Sequence, residues 1–279
     1  MALVSDADVE FFAKNGWLLT STLVDHANDL QTWTDEVIGF SLAPWRDLAS
    51  NPASRVLVTV QVAAWPKDGG EWLHYREATN EGPKLCRTEN FTPFHKGFYN
   101  LLRTGPLVDI ASALMKEPAV LYKEKINYKM AGGAGYSPHQ DAPAYPFIDV
   151  HISVMVAVDD ATLENGCLWV VDGKHQEILP LNERGCIRQD VVDAMTWHPV
   201  ELKAGQTLFF HSRTPHRSGP NTTSVNRRAL YPTYNALREG DLRDAYYKEK
   251  LAKFAASKYE GATVQVSLIG DFEGKRVDE

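Results

Sequence analysis

The sequence is poor in cysteine, in long apolar runs and in positive charge, and each deficit closes a class of function. Its three cysteines, Cys86, Cys167 and Cys186, make no CxxC pair in 279 residues. A closed disulfide framework and a Cys-rich zinc knuckle are therefore excluded, and a reducing compartment suits the chain. No apolar stretch approaches the roughly 20 residues that cross a bilayer; the most hydrophobic run, residues 151–158, is strand-sized. Lys and Arg number 29 against 36 Asp and Glu, a net charge of −7, which argues against a nucleic-acid or anionic-membrane partner. The opening MALVSDADVEFFAKNGWLL lacks the basic and apolar regions of a signal peptide, and the closing RVDE is no ER or peroxisomal address. A cytoplasmic location is expected. Internal repeats and low-complexity linkers are also missing, and no feature specifies an oligomeric state.

What is present is the composition of an ordinary globular protein, 44% hydrophobic, 10% aromatic and 23% charged. Length alone allows two domains, but a single barrel or sandwich also reaches this size. Ser5 with Asp8 three residues on, the apolar Val9, Phe11 and Phe12, and then Asn15-Gly16 predict a capped helix over 5–16. A short strand follows at 17–20, and helical spacing recurs over 24–40, 97–103 and 107–116. From about residue 117 the pattern changes to short strands between Gly/Pro-rich turns, at 120–129, 150–158, 167–171, 200–202, 207–211 and 228–236. The expectation is one mainly β domain over 1–279. It divides into an N-terminal helical layer (about 1–116), a sandwich or barrel core (about 117–236) and a charged C-terminal helix (about 241–259).

The segment MAGGAGYSPHQDAPAYPF carries the chemistry. After its glycines, His139 and Asp141 stand two residues apart. In an extended chain, residues i and i+2 point to one side, so imidazole and carboxylate converge on one cation. Two histidines and one carboxylate on one face of an octahedron leave three positions open, the arrangement of non-haem Fe(II) oxygenases. The segment GQTLFFHSRTPHRSGPN offers two candidates for the third ligand. His211 shares a strand face with Thr207 and Phe209, and His216 lies beyond Pro215; spacing alone leaves both open.

The strings HQDAPAY, ENGCLWVVDGKH and FFHSRTPHRSGPNTTSVNRRAL, in that order, together with the opening FFAKNGWLL, resemble the phytanoyl-CoA dioxygenase family of Fe(II)/2-oxoglutarate-dependent oxygenases. The resemblance implies a mainly β fold with flanking α, a double-stranded β-helix (jelly-roll, cupin-like) core, and Fe(II), 2-oxoglutarate and O2 as cofactors. It implies His139, Asp141 and His216 as iron ligands, because the family's second histidine precedes a Ser-Gly-x-Asn turn, here Ser218 to Asn221. Arg227, eleven residues after His216, matches the arginine for the distal carboxylate of 2-oxoglutarate. A buried dicarboxylate calls for such a planar, permanently charged fork. Arg228 is expected on the opposite strand face. Ser218, Lys125, Arg87 and Met155 match positions at or near the cosubstrate, the last a tryptophan in the best-known member. Alternation along 121–129 puts Lys123, Lys125, Asn127 and Lys129 on one face, with Lys125 and Asn127 looking into the barrel. His211 is a candidate contact to substrate.

The family's eponymous acyl-CoA substrate is not expected, because an acidic chain without a Lys/Arg cluster outside 123–129 offers CoA no basic patch. A small polar or anionic metabolite, or a natural-product intermediate, fits better. Trp65, Trp72 and Arg76, with Arg87, are the candidate substrate contacts, in a region (65–90) read as helix and loop. Two rivals belong to other classes: a cupin-like metal-dependent hydrolase or isomerase, and a non-catalytic ligand-binding jelly roll. Succinate formation separates the first, and iron content the second.

Overall fold

A computed structural model describes residues 3–39, 59–64, 71–77, 84–145 and 147–250; for 59–64 and 71–77 the description is of backbone pairing alone. The chain opens with α1 (Asp6–Asn15), whose Ser5 and Asp8 form a capping box. Gly16 ends it at φ 84°, and a side chain there would also strike His175 and Thr214. Chain reversal leads into β1 (Trp17–Thr20), then α2 (Ala27–Gly39), β2 (Thr59–Ala64), β3 (Glu71–Glu77) and β4 (Lys84–Glu89). Next come α3 (Lys96–Arg103) and α4 (Pro106–Met115), the latter started by Pro106. The β-rich part holds β5 (Ala119–Lys129), β6 (Tyr136–His139), β7 (His151–Ala157), β8 (Leu168–Val170), a short α5 (Gln189–Asp193), β9 (His198–Val200), β10 (Thr207–His211), β11 (His216–Ser218) and β12 (Arg227–Ala236). Helical backbone runs again over 243–250.

These strands make an eight-stranded antiparallel sheet, β1-β10-β7-β12-β5-β4-β3-β2, facing a four-stranded one, β6-β11-β8-β9. This is the jelly-roll core expected. The N-terminal part is more than a helical layer: β1 closes one edge of the large sheet and β2, β3 and β4 extend the other. The region read as helix and loop around 65–90 thus holds two strands, β3 and β4.

The large sheet has two different faces. Outward, Ile126, Ile152, Val154, Val156, Phe209 and Leu230 pack on the helical layer through Phe12, Phe98, Leu102 and Ile110. Burying this continuous apolar face fixes the strand register, since a slip of one residue would turn every side chain over. Arg228 also leaves on this side, tied to Asp159 and Asp35 as its position next to Arg227 predicted. The inward face is partly apolar (Met155, Ala157, Leu208, Phe210, Ala229) and otherwise polar. No described helix is long and apolar enough to cross a membrane.

Candidate active site

The registers of β4, β5, β12, β7 and β10 lay the inward side chains out in rows. Arg227 stands opposite Lys129, and Ala229 opposite Asn127, which itself faces Arg87. Tyr231 pairs with Lys125 and Lys125 with Glu89; Thr233 pairs with Lys123 and with Ser153; Asn235 pairs with His151. Rows of two residues are spaced by about 6.6 Å along a strand. The inside of the sheet is therefore a ladder, cationic at the Arg227 end, with Ser153 and Phe210 further along it.

Over this ladder the small sheet brings His139, at the end of β6, directly opposite His216, at the start of β11. Their rings lie 4.1 Å apart between centroids. Asp141 follows two residues after His139, and its Oδ1 lies 3.8 Å from His139 Nε2 and 3.7 Å from His216 Nε2. Among the described residues this is a group of three ligand atoms, all within 4.8 Å of one another, able to hold a metal ion. The rings are oriented from behind. Nδ1 of His139 lies 2.7 Å from the Ser137 carbonyl, and Nδ1 of His216 3.0 Å from that of Thr214. A carbonyl only accepts, so each Nδ1 carries the hydrogen and each Nε2 turns a lone pair to the centre. Ser153 donates to the other oxygen of Asp141.

The electrostatics favour the ligand forms. Burial, and then His216, hold His139 down to about 3, so it stays neutral at physiological pH. Burial works against the Asp141 carboxylate, but His216, His139, Lys125 and the Ser153 hydroxyl outweigh it and leave the group ionised. The donor set, two imidazoles and a carboxylate on one side, suits a divalent iron and leaves the opposite side open.

A cavity lies alongside, lined by Asn127, Lys129, Tyr136, Ser218, Arg227 and Tyr231, among others. Arg227 is buried and gives one terminal N–H to Gly166 O at 2.8 Å, while its Nε is buried without a partner. A buried guanidinium with an unused N–H calls for an acceptor, and a carboxylate meets that need. Lys129 donates to Ser218 Oγ at 2.9 Å and to the carbonyls of Gly166 and Gly219. Burial and the neighbouring Arg227 push its amine down to about 7. Arg227, Ser218 and Asn127 thus meet in the cavity as expected. Arg87 adjoins them, its Nε bound to Asn127 Oδ1 at 3.1 Å.

Other candidates lie elsewhere. Met155 faces inward but is fully buried in the apolar cluster with Leu208 and Phe210. His211 pairs with Ile152 and so points from the helical face, its Nδ1 accepting the Arg213 N–H and its ring 5.3 Å from His175. Strand parity, which separates His211 from Phe210, therefore decides which histidine joins Asp141. Trp72 and Arg76 belong to β3, paired with Ala63 and Thr59, and Trp65 lies outside the described residues. Sequence parity put Lys129 on the face of Lys125 but gave it no role; Tyr231, which shares the parity of Arg227 along β12, and Ser153, in β7, are further inward residues. His151 is fully buried on the inward face.

A jelly roll carrying two histidines and an aspartate at one mouth, beside a buried arginine, defines the class of metal-dependent oxygenases. The model of the phytanoyl-CoA dioxygenase (PhyH) family matches residues 14–229, and the chain belongs to that family. It is an iron- and 2-oxoglutarate-dependent dioxygenase. The methylphosphonate hydroxylase of Gimesia maris is 50% identical over 217 residues, covering 77% of this chain and 84% of that one. A 2-aminoethylphosphonate dioxygenase from an uncultured bacterium is 40% identical over 210 residues, 73% and 80% of the two chains. Among solved structures, EctD from S. alaskensis, crystallised with 2-oxoglutarate and 5-hydroxyectoine, superposes with a TM-score of 0.65 at 18% identity, covering 85% and 78%; it supports the fold.

Proposed function

We propose that this protein hydroxylates an unactivated C–H bond of a small organophosphonate, consuming 2-oxoglutarate and O2. The likeness to two phosphonate oxygenases supports the substrate class, and the observation that carries the chemistry is the convergence of His139, Asp141 and His216. These three would hold the iron. Ser153 fixes the second oxygen of Asp141, and the Ser137 and Thr214 carbonyls fix the imidazole tautomers. Arg227 would take the distal carboxylate of 2-oxoglutarate, flanked by Ser218, Asn127 and Lys129. When bound, iron and 2-oxoglutarate activate O2 and drive the oxidation; the chain binds, orients and excludes water. In the balance, one oxygen atom enters the C–H bond as hydroxyl and the other enters succinate, with release of CO2.

The reading further takes the enzyme as cytoplasmic, with a small-molecule substrate and with neither nucleic acid nor membrane as partner, in line with its acidity and with three cysteines that form no disulfide. The test is aerobic incubation of the Fe(II)-loaded protein with 2-oxoglutarate and methylphosphonate or 2-aminoethylphosphonate. Succinate release coupled to a hydroxylated product in the 31P spectrum is the expected result. Asp141→Ala and His216→Ala should abolish it. Succinate formation retained in either variant overturns the ligand assignment, and no phosphonate-stimulated succinate in the wild type overturns the substrate class.

A further inference from the structure

The inward ladder continues past the metal ligands, away from Arg227, and there it holds polar groups that the chemistry above leaves unused. Lys125 is half-buried, and its Nζ makes no hydrogen bond or ion pair with any described residue. That amine stands over the face of the Tyr231 ring, 5.4 Å from the centroid. Its register neighbour Glu89 cannot neutralise it, since one carboxylate oxygen is bound to Lys250 and the other lies 3.5 Å from Arg87. Beyond Ser153 on the same strand face, His151 is fully buried with both ring nitrogens unpartnered, and Oδ1 of its register neighbour Asn235 is also unpartnered. Lys123 joins them from the row between, its amine directed to the Tyr145 hydroxyl. The Tyr145 ring in turn stands edge-on to His151, 5.5 Å between centroids.

Buried polar atoms are almost always satisfied by protein, water or ligand, and one left bare is destabilising. An amine without a hydrogen-bond partner, beside a buried imidazole whose N–H is also bare, is therefore shaped for an anionic guest. Burial, Arg87 and Lys123 all weaken the hold of Lys125 on its proton, and Asp141 and Glu89 do not restore it. An anion bound beside the amine would restore that hold.

We propose that Lys125 and His151, with Lys123 between their rows, form the subsite that holds the oxyanion head of the substrate beside the metal. The three side chains come from two strands and three successive rows. Donors spread in this way match a tetrahedral head with three oxygens better than a planar carboxylate with two. The head is held on the side of Asp141 away from Arg227, so the carbon attached to phosphorus faces the iron while the 2-oxoglutarate carboxylate occupies the other end. The resemblance that implied a cosubstrate role for Lys125 is replaced by a substrate role. This inference rests on the reading of the protein as a phosphonate oxygenase.

The experiment is anaerobic calorimetric titration of the Fe(II)- and 2-oxoglutarate-loaded protein with methylphosphonate, inorganic phosphate and acetate, and of the Fe(II)-loaded protein with 2-oxoglutarate. Lys125→Met, which keeps the length of the side chain, and His151→Phe should each weaken both tetrahedral anions by roughly tenfold to a hundredfold, the loss of a charge-assisted or buried hydrogen bond. Acetate should bind at least tenfold more weakly than phosphate to the wild type. Both variants should keep their 2-oxoglutarate affinity within about twofold, which also shows that they fold, and Lys125→Arg should restore most of the anion affinity. Weaker 2-oxoglutarate binding in Lys125→Met with unchanged methylphosphonate binding overturns the subsite and returns Lys125 to the cosubstrate. Failure of the wild type to bind either tetrahedral anion also overturns it. A wild type that binds no 2-oxoglutarate overturns instead the oxygenase reading beneath it.

Discussion

Arg227 enters the cavity with one N–H tied to Gly166 O and its buried Nε unused, and Lys129 stands in the same row, held by Ser218 and two carbonyls. The two cations do different work. Arg227 offers a planar fork, whereas the Lys129 amine, pushed down to about 7, is poised between its forms. Arg227→Ala should weaken 2-oxoglutarate binding by about 2–5 kcal/mol, the range for truncating one partner of a buried charge pair. Lys129→Met should lose less, about 1–3 kcal/mol. A bound dicarboxylate favours the ammonium, so affinity in the wild type should fall as pH rises through about 7, and Lys129→Met should remove that dependence. Anaerobic titrations at several pH values measure both. A pH profile unchanged by Lys129→Met removes Lys129 from the contact.

At the scale of elements, the turn before β8 binds the two sheets to the cosubstrate end. Gly166 sits there at φ 78°, and its carbonyl accepts from both Arg227 and Lys129. A Cβ at this position would lie 2.3 Å from Gly219 O and 2.6 Å from Lys129 Nζ. Gly166→Ala should therefore cost about 1–3 kcal/mol of stability, through strain and overpacking, and weaken 2-oxoglutarate in parallel. Denaturant unfolding checks the first and titration the second; normal values for both would mean that the turn relaxes freely. The same scale explains what could be read in advance. The His139–Asp141 pair and the core strands follow from period-two spacing, because an apolar outward face alternates with the inward one along β7, β10 and β12; the third ligand, His216, was legible only through the family resemblance. β4 escaped because its buried inward residues are Arg87 and Glu89, and a charged buried row has the sequence appearance of a solvated loop. Lys129, on the same strand face as Lys125, was given no role for the same reason. Lysines on one strand face ordinarily mean water, and only the opposing sheet turns that face into an interior.

For the whole molecule, a polar interior makes stability a function of pH. His151 and His211 are pushed from an ordinary 6.5 down to about 3 and about 4, in each case chiefly by burial. The unfolded chain therefore binds protons near pH 6.5 that the folded chain refuses. Stability from these groups is fully present above about 6.5 and is lost as pH falls toward the folded values. Each histidine contributes a slope of up to about 1.4 kcal/mol per pH unit inside that window. His139, held down to about 3 in the same way, adds to the slope. Bound iron steepens its share, since only the neutral ring is a ligand and a bound metal stabilises the fold by mass action. The unfolding free energy should thus decline steadily from about pH 6.5 to about pH 4, with a steeper decline in the Fe(II)-loaded protein kept anaerobic. His151→Phe keeps the ring volume and removes one titrating group, so its slope should be shallower by about 1.4 kcal/mol per pH unit. Urea unfolding of both proteins at half-unit pH steps measures the difference. Identical slopes would mean that His151 takes up its proton within the folded molecule, and the buried inward row would then have to be open to water.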